Sequence, residues 1–298
     1  MMQKLRCVLE AKAELGEGPR WHAGEQRLYW VDIAMNELHR LDPETGRDEC
    51  RMFDAPVGCF AFTDRGGLVL AMKDGFALLP DFHGEPEPFG PQIFAGEPDL
   101  RFNDGRTDPQ GRFWAGSVNM TKSARNAALY RLGHDGTVLE IEGGMLTCNG
   151  AAFSPDGKRF FHADTPSHAV RVYDFDGQAG TIANSRIFHQ FPMGEGRPDG
   201  ASVDAEGCYW TALFDGGRVV RLSPVGEIVA DVPLPAKRPT MICLGGPDYR
   251  TAFVTTARTG LSDEELKDNP LSGSIFSFQV DVPGIAETPF RVGRGGGD

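Results

Sequence analysis

The sequence predicts an all-β protein, a six-bladed β-propeller with four antiparallel strands per blade, formed as one domain over residues 1–298. Three observations predict it. Short aromatic or aliphatic runs follow turn signals six times, anchored at Trp30, Leu70, Trp114, Phe161, Trp210 and Phe253, with spacings of 40, 44, 47, 49 and 43 residues. Each run is followed by a second hairpin pattern, so every unit reads strand, turn, strand, loop, strand, turn, strand. The chain also carries 38 Gly and 21 Pro, residues that punctuate helices rather than fill them.

The units follow one another in order. GEQRLYWVD leads into ELHRLDPETGRDECRMF, DRGGLVLAM into FALLPDFHGEPEPF, and PQGRFWAGS into ALYRLGHDGTVLEIE. PDGKRFFHAD leads into AVRVYDFDGQAGTIANSRIF, AEGCYWTAL into RVVRLSPVGEIVADVPL, and PDYRTAFVTT into SIFSFQVDVPGIAETPF. A lone blade cannot bury both of its faces, so neighbouring blades must cover each other. Two β-sandwiches would not need six repeats in phase. The clearest helix signal is Ser262 as N-cap with Glu265 at the capping-box position, ended by Asp268-Asn269-Pro270. The tail from about 293 to 298, GRGGGD, reads as mobile.

Composition narrows the partners. Hydrophobic residues make up 40% and charged residues 24% of the chain, as in a globular protein with a substantial core. No apolar run approaches the roughly 20 residues that span a bilayer, which argues against a membrane partner. The N-terminus lacks the apolar core of a secretory signal, which predicts a cytoplasmic protein. A net charge of −12 repels phosphate backbones and argues against nucleic acid. The six cysteines form no C-x-x-C pair and read as buried free thiols. Nothing in the pattern fixes an oligomeric state.

The polar residues upstream of the anchors carry the chemistry. Glu17 precedes Trp30 by 13 residues, Asn103 precedes Trp114 by 11, Asn149 precedes Phe161 by 12 and Asp199 precedes Trp210 by 11. The other two units place Val57 and Thr240 at this phase. The phase marks the start of the innermost strand of each blade, and those starts converge on one mouth of the central channel. Taken singly, each is also an ordinary turn residue; their shared phase sets them apart. It likewise separates Asp156, a hairpin-turn residue a few positions before Phe161, from Asp199 in an identical Pro-Asp-Gly tripeptide. In RFNDGRTDPQGRFWAG, Asp108 to Gly111 turns the hairpin, whereas Arg101 and Asn103 face the channel mouth.

Two carboxylates and a carboxamide packed unpaired in a channel are unfavourable by several kcal/mol each, and a divalent cation relieves that. Oxygen donors suit hard ions such as Ca²⁺, Mg²⁺ or Mn²⁺. Three protein ligands, Glu17, Asn149 and Asp199, leave positions open for water or substrate, as catalytic ions require. No G-x-S-x-G or H-E-x-x-H motif is present, and the seven histidines show no metal-ligand spacing. His162 in FFHAD, placed near the end of an inner strand, reads as a hydrogen-bonded core or loop histidine. Gly-rich 194–200 lacks the strand-to-helix context of a phosphate loop.

GEGPRW, RFNDGRTDPQGRFWAGS, CNGAAFSPDGKRFFHADT, RPDGASVDAEGCYWTAL, GGRVVRLSP and CLGGPDYRTAFVTTARTGLSDEEL together resemble the SMP-30/gluconolactonase (regucalcin-like) family over essentially the whole chain. The resemblance implies a six-bladed propeller that hydrolyses a small-molecule sugar lactone such as glucono-, xylono-, arabinono- or galactonolactone, with one divalent ion (Ca²⁺, Mg²⁺, Mn²⁺, Zn²⁺ or Fe²⁺). It implies that Glu17, Asn149 and Asp199 are metal ligands, that Asp199 is also the general base, and that Arg101 and Asn103 contact substrate. The chain departs from the animal proteins at Ser117-Val118-Asn119-Met120-Thr121, where acidic residues that contact sugar hydroxyls are missing. Alternative readings are a phosphotriester hydrolase using the same site and a calcium-binding propeller without catalysis.

Overall fold

Strand β1 (Arg6–Leu9) is set apart from the first hairpins that follow it, and its partner is the last strand of the chain. Four strands then form blade 1: β2 (Gly16–His22), β3 (Arg27–Asp32), β4 (Glu37–Leu41) and β5 (Asp48–Met52). Blade 2 is β6 (Val57–Phe62), β7 (Leu68–Met72), β8 (Gly75–Leu79) and β9 (Glu87–Gln92); blade 3 is β10 (Leu100–Thr107), β11 (Phe113–Asn119), β12 (Ala127–Leu132) and β13 (Val138–Met145). Blade 4 is β14 (Cys148–Phe153), β15 (Arg159–Asp164), β16 (Ala169–Asp176) and β17 (Thr181–Gln190); blade 5 is β18 (Arg197–Val203), β19 (Tyr209–Phe214), β20 (Arg218–Leu222) and β21 (Ile228–Pro233). Blade 6 is β22 (Pro239–Gly245), β23 (Thr251–Thr256), β24 (Ile275–Gln279) and finally β1. This is the predicted six-bladed propeller, seen in a computed structural model that describes residues 5–293.

Every sequence anchor lies on the second strand of its blade. The buried apolar residues fall into six clusters, one at each interface between neighbouring blades. Trp114 of blade 3, for example, packs with Phe153 and Phe160 of blade 4, whereas Trp30 of blade 1 packs with Phe253 of blade 6. Blade-to-blade burial thus stabilises the ring, at about 25 cal/mol per Å² of apolar surface removed from water. The hairpin aspartates tie down two anchors: Trp114 Nε1 donates to Asp108 Oδ2 at 2.9 Å, and Trp210 Nε1 to Asp204 Oδ2 at 3.0 Å.

The helix α1 (Asp263–Asp268) carries the expected capping box between Ser262 and Glu265. Among the described residues, no helix is long and apolar enough to cross a membrane. Two readings need correction. His162 lies within β15, a second strand, where it is buried and stacks on Phe160, and desolvation pushes its pKa down to about 4. Of the six free cysteines, Cys59, Cys148, Cys208 and Cys243 are buried, but Cys7 is half-buried and Cys50 exposed, because the last two sit on outer strands. The predicted mobile tail falls outside the described residues except for Gly293, whose N–H donates to the His134 carbonyl at 2.7 Å.

After β24 the chain straps the face on which the inner strands finish. Ala205 N–H donates to the Pro283 carbonyl, Gly284 N–H to Tyr249, Phe290 N–H to Phe62 and Arg291 N–H to Gly111. Glu287 enters the channel from this side. Its carboxylate accepts from both Arg20 of β2 and Arg106 of β10. The two guanidinium groups also cap inner-strand carbonyls: Arg20 donates to Phe60 and Gly105, and Arg106 to Ala151 and Ala201. Burial alone would raise the Glu287 pKa, but Arg106 and Arg20 outweigh it and hold the carboxyl below its ordinary range.

Removing one partner of a buried pair leaves an uncompensated charge, at about 3–5 kcal/mol. Glu287→Ala is therefore expected to lose on the order of 3 kcal/mol in denaturant unfolding, and a loss below about 0.5 kcal/mol would contradict the plug. Because the folded pKa is depressed, this stabilisation is present above the unfolded value of about 4.3 and fades as pH falls through the folded one. Glu287→Gln should flatten that acid limb.

Candidate functional site

At the opposite mouth, where the inner strands start, lies a cavity of about 550 Å³ lined by Glu17, Arg101, Asn103, Lys122, Asn149, Thr165, Arg197 and Asp199, with apolar walls from Leu15, Ile33, Val118, Met120 and Phe214. All five residues singled out from the sequence line this one cavity. Val57 and Thr240 do not: Val57 is buried in the core between blades, and the Thr240 hydroxyl donates to the Gly16 carbonyl.

Local backbone geometry aims these side chains. Each inner strand shifts register at or next to the phase position, between Glu17 and Arg20, Val57 and Cys59, Phe102 and Gly105, Asn149 and Ala152, Pro198 and Ala201, and Pro239 and Met241. Such bulges bend a strand and redirect a side chain. Asn149 is followed by Gly150 at φ +66°, where a Cβ would stand 2.2 Å from the Tyr209 hydroxyl, so no larger residue fits. The Asn-Asp-Gly of 103–105 looks like a turn but is one of these bulges within a continuous strand.

A relay of hydrogen bonds fixes the amides. Arg101 Nη1 donates to Asn103 Oδ1 at 2.9 Å, Asn103 Nδ2 to Asn149 Oδ1 at 2.8 Å, and Asn149 Nδ2 to Thr165 Oγ1 at 2.8 Å. Thr165 gives its one proton to the Pro198 carbonyl at 2.8 Å. It must therefore accept from Asn149, which fixes that amide with nitrogen toward Thr165 and one oxygen lone pair free.

The carboxylates are under stress. Glu17, Asn149 and Asp199 retain 7, 3 and 4% of their exposure, so these donors are desolvated. Glu17 accepts only the Gly18 N–H, at 3.2 Å, and Asp199 Oδ1 has no partner among the described residues. Burial first, then the charges of Asp199 and Asp104, raise the Glu17 pKa well above the carboxylate range; burial and Asp104 do the same to Asp199. Two buried, under-partnered carboxylates beside an oriented amide oxygen form a donor set that fits a divalent cation with open positions. Arg101 is desolvated too; burial, opposed by Glu17, pushes its pKa down to about 10, so it stays charged at neutral pH.

The structure adds residues that phase alone does not single out. Asp104 is buried and accepts from Gly105 and Ala151 N–H groups at 2.7 and 3.0 Å, holding the adjacent blade in place. Thr165 comes from a short 3₁₀ turn after β15 (Thr165–Ser167) and has no sequence signal. Lys122 comes from the loop after β11. Arg197 was within reach of the pattern, since Arg197-x-Asp199 repeats the spacing of Arg101-x-Asn103.

Residues 15–258 match the model of the SMP-30/Gluconolactonase/LRE-like region. The chain is 43% identical to 6-deoxy-6-sulfogluconolactonase of Pseudomonas putida, covering 97% of this chain and 99% of the relative. It is 34% identical to the pentonolactonase XacC of Haloferax volcanii, covering 94% and 96%. Its structure is similar to that of a calcium-binding protein, regucalcin, from Agrobacterium tumefaciens, with a TM-score of 0.93 at 27% identity, covering 97% and 98%. With its fold, inner-strand residues and full-length similarity in agreement, the chain belongs to the SMP-30/gluconolactonase/LRE-like family.

Proposed function

We propose that this protein is a lactonase that hydrolyses an aldonolactone to its sugar acid at the channel mouth. The observation that carries this reading is the meeting of Glu17, Asn149 and Asp199 from three blades beside Arg101 and Asn103 in one cavity. The lactone-hydrolysing relatives support it. A divalent cation held by Glu17, Asn149 and Asp199 would supply electrophilic polarisation of the ring carbonyl and charge to match the one developing on its oxygen.

The rest is the work of the chain itself. Asp199, with its unpartnered oxygen, takes a proton from the attacking water, and its raised proton affinity suits a base that must accept and then release one. Arg101 and Asn103 bind the lactone oxygens, and the relay through Asn149 and Thr165 holds them in register. The apolar walls orient the sugar ring and limit water to the reacting face.

Asp199→Ala is expected to lower kcat by about 10²–10⁴-fold with the protein still folded. Retention of full ion-dependent turnover, followed by pH-stat on D-glucono-1,5-lactone, would remove Asp199 from the reaction. A phosphotriester assayed beside the lactone tests the phosphotriesterase alternative, and ion binding without lactone opening would favour the non-catalytic one.

The ion reading makes a separate prediction. Glu17→Gln and Asp199→Asn should each weaken divalent-ion binding by about tenfold or more in calorimetry. The same substitutions should raise the Tm of the ion-free protein, because each removes one of two buried like charges. A lowered Tm in both would contradict that repulsion.

A further inference from the structure

The loop after β11 gives the cavity a feature that opening a neutral lactone does not require. Asn119 Oδ1 accepts from the Thr121 hydroxyl at 2.9 Å and from the Ser123 N–H at 3.3 Å, while Lys122 N–H donates to the Asn119 carbonyl at 3.1 Å and Met120 N–H to the Asp99 carbonyl at 2.8 Å. Within this turn Lys122 sits at φ +56°, a left-handed conformation that a lysine keeps only where its surroundings over-determine it. The result is an exposed lysine that lines the cavity and whose ammonium donates to Thr147 Oγ1. Desolvation, then the like charge of Arg101, pushes its pKa down to about 8.

The charges around the cavity do not balance. Its lining holds three cations, Arg101, Lys122 and Arg197, against two carboxylates, Glu17 and Asp199. Among the described residues, neither Lys122 nor Arg101 forms a salt bridge. Arg197 does, but it shares the single carboxylate of Asp215 with Arg238, so that corner also keeps a net positive charge. Once a divalent cation takes up the charge of Glu17 and Asp199, the lining cations are left in excess of the carboxylates near them, Asp215 beside Arg197 and Asp164 near Lys122. In a chain of net charge −12 this is a local excess of positive charge, and such a mouth attracts an anion.

We infer that the natural lactone carries a second, anionic group outside the lactone ring (a sulfonate, phosphate or carboxylate) and that Lys122 with Arg197 receives it. This rests on the lactonase reading. The position where acidic contacts to sugar hydroxyls are missing, at Met120 and Thr121, is thereby explained: a carboxylate there would oppose the anion that Lys122 attracts.

The test compares kcat/KM of the ion-loaded protein for D-glucono-1,5-lactone, its 6-phospho and 6-deoxy-6-sulfo forms, and D-glucaro-1,4-lactone. At least one anionic lactone is expected to exceed the neutral one by about tenfold or more, with the advantage shrinking at about 0.5 M salt. Lys122→Met should cut the anionic-to-neutral ratio by about tenfold, and Lys122→Glu by more. A neutral lactone used as well as every anionic one, or a ratio unmoved by both substitutions, overturns the inference. If no lactone of either kind is opened, the lactonase reading fails, and calorimetry still decides this one. Binding of 6-phosphogluconate about tenfold tighter than gluconate supports it, and equal binding overturns it.

Discussion

Six strands meeting at an axis leave carbonyl oxygens that need hydrogen-bond donors, and the structure answers with two buried arginines. Arg20 and Arg106 donate to the carbonyls of Phe60, Gly105, Ala151 and Ala201, which belong to blades 2, 3, 4 and 5. Buried backbone acceptors require partners, and here two side chains satisfy four blades at once. Their own charge requires Glu287, which the C-terminal strap delivers from outside the ring. An ionic plug thus stands at that end of the channel, and the cavity lined by Glu17, Asn149 and Asp199 lies at the other mouth.

The two ends are arranged on opposite principles. At the plug, two guanidinium groups share the Glu287 carboxylate, with Asp104 close by, and their hydrogen bonds are satisfied. At the mouth, Glu17 and Asp199 repel each other, and one oxygen is left without a partner. Such strain persists because the ring around it is well packed, with an apolar cluster between every pair of blades. Asp104 stands between the two regimes, bonded to the backbone of its neighbouring blade and near enough to raise the proton affinity of both mouth carboxylates.

Much of this is legible in the sequence because the fold is periodic. The anchors report second strands, and counting back from them finds Glu17, Asn103, Asn149 and Asp199 on inner strands. The count varies from 11 to 13 and the hairpins between first and second strands differ in length, whereas the one-residue bulge is common to all four. What lacks period is not legible. Thr165 lies after a second strand, Lys122 on an irregular loop, and Glu287 in a strap outside every repeat. Asp104 is hidden for another reason: Asn-Asp-Gly is written like a turn, and only the neighbouring blade reveals it as a bulge. His162 reads as a core or loop histidine near the end of an inner strand, and the structure places it instead on a second strand, buried against Phe160.

The sixth blade borrows its outermost strand, Arg6–Leu9, from the opposite terminus of the chain. A chain emerging in order from its N-terminus must therefore hold that segment unpaired until Ile275–Gln279 has been made. Contacts of such long sequence separation form late and slowly. Blade 6, which stands between blades 5 and 1 that supply Asp199 and Glu17, is complete only at that closure. The ring around the axis is consequently the last part of a newly synthesised molecule to be completed, and a half-finished one holds the parts of a binding site without the circle that unites them.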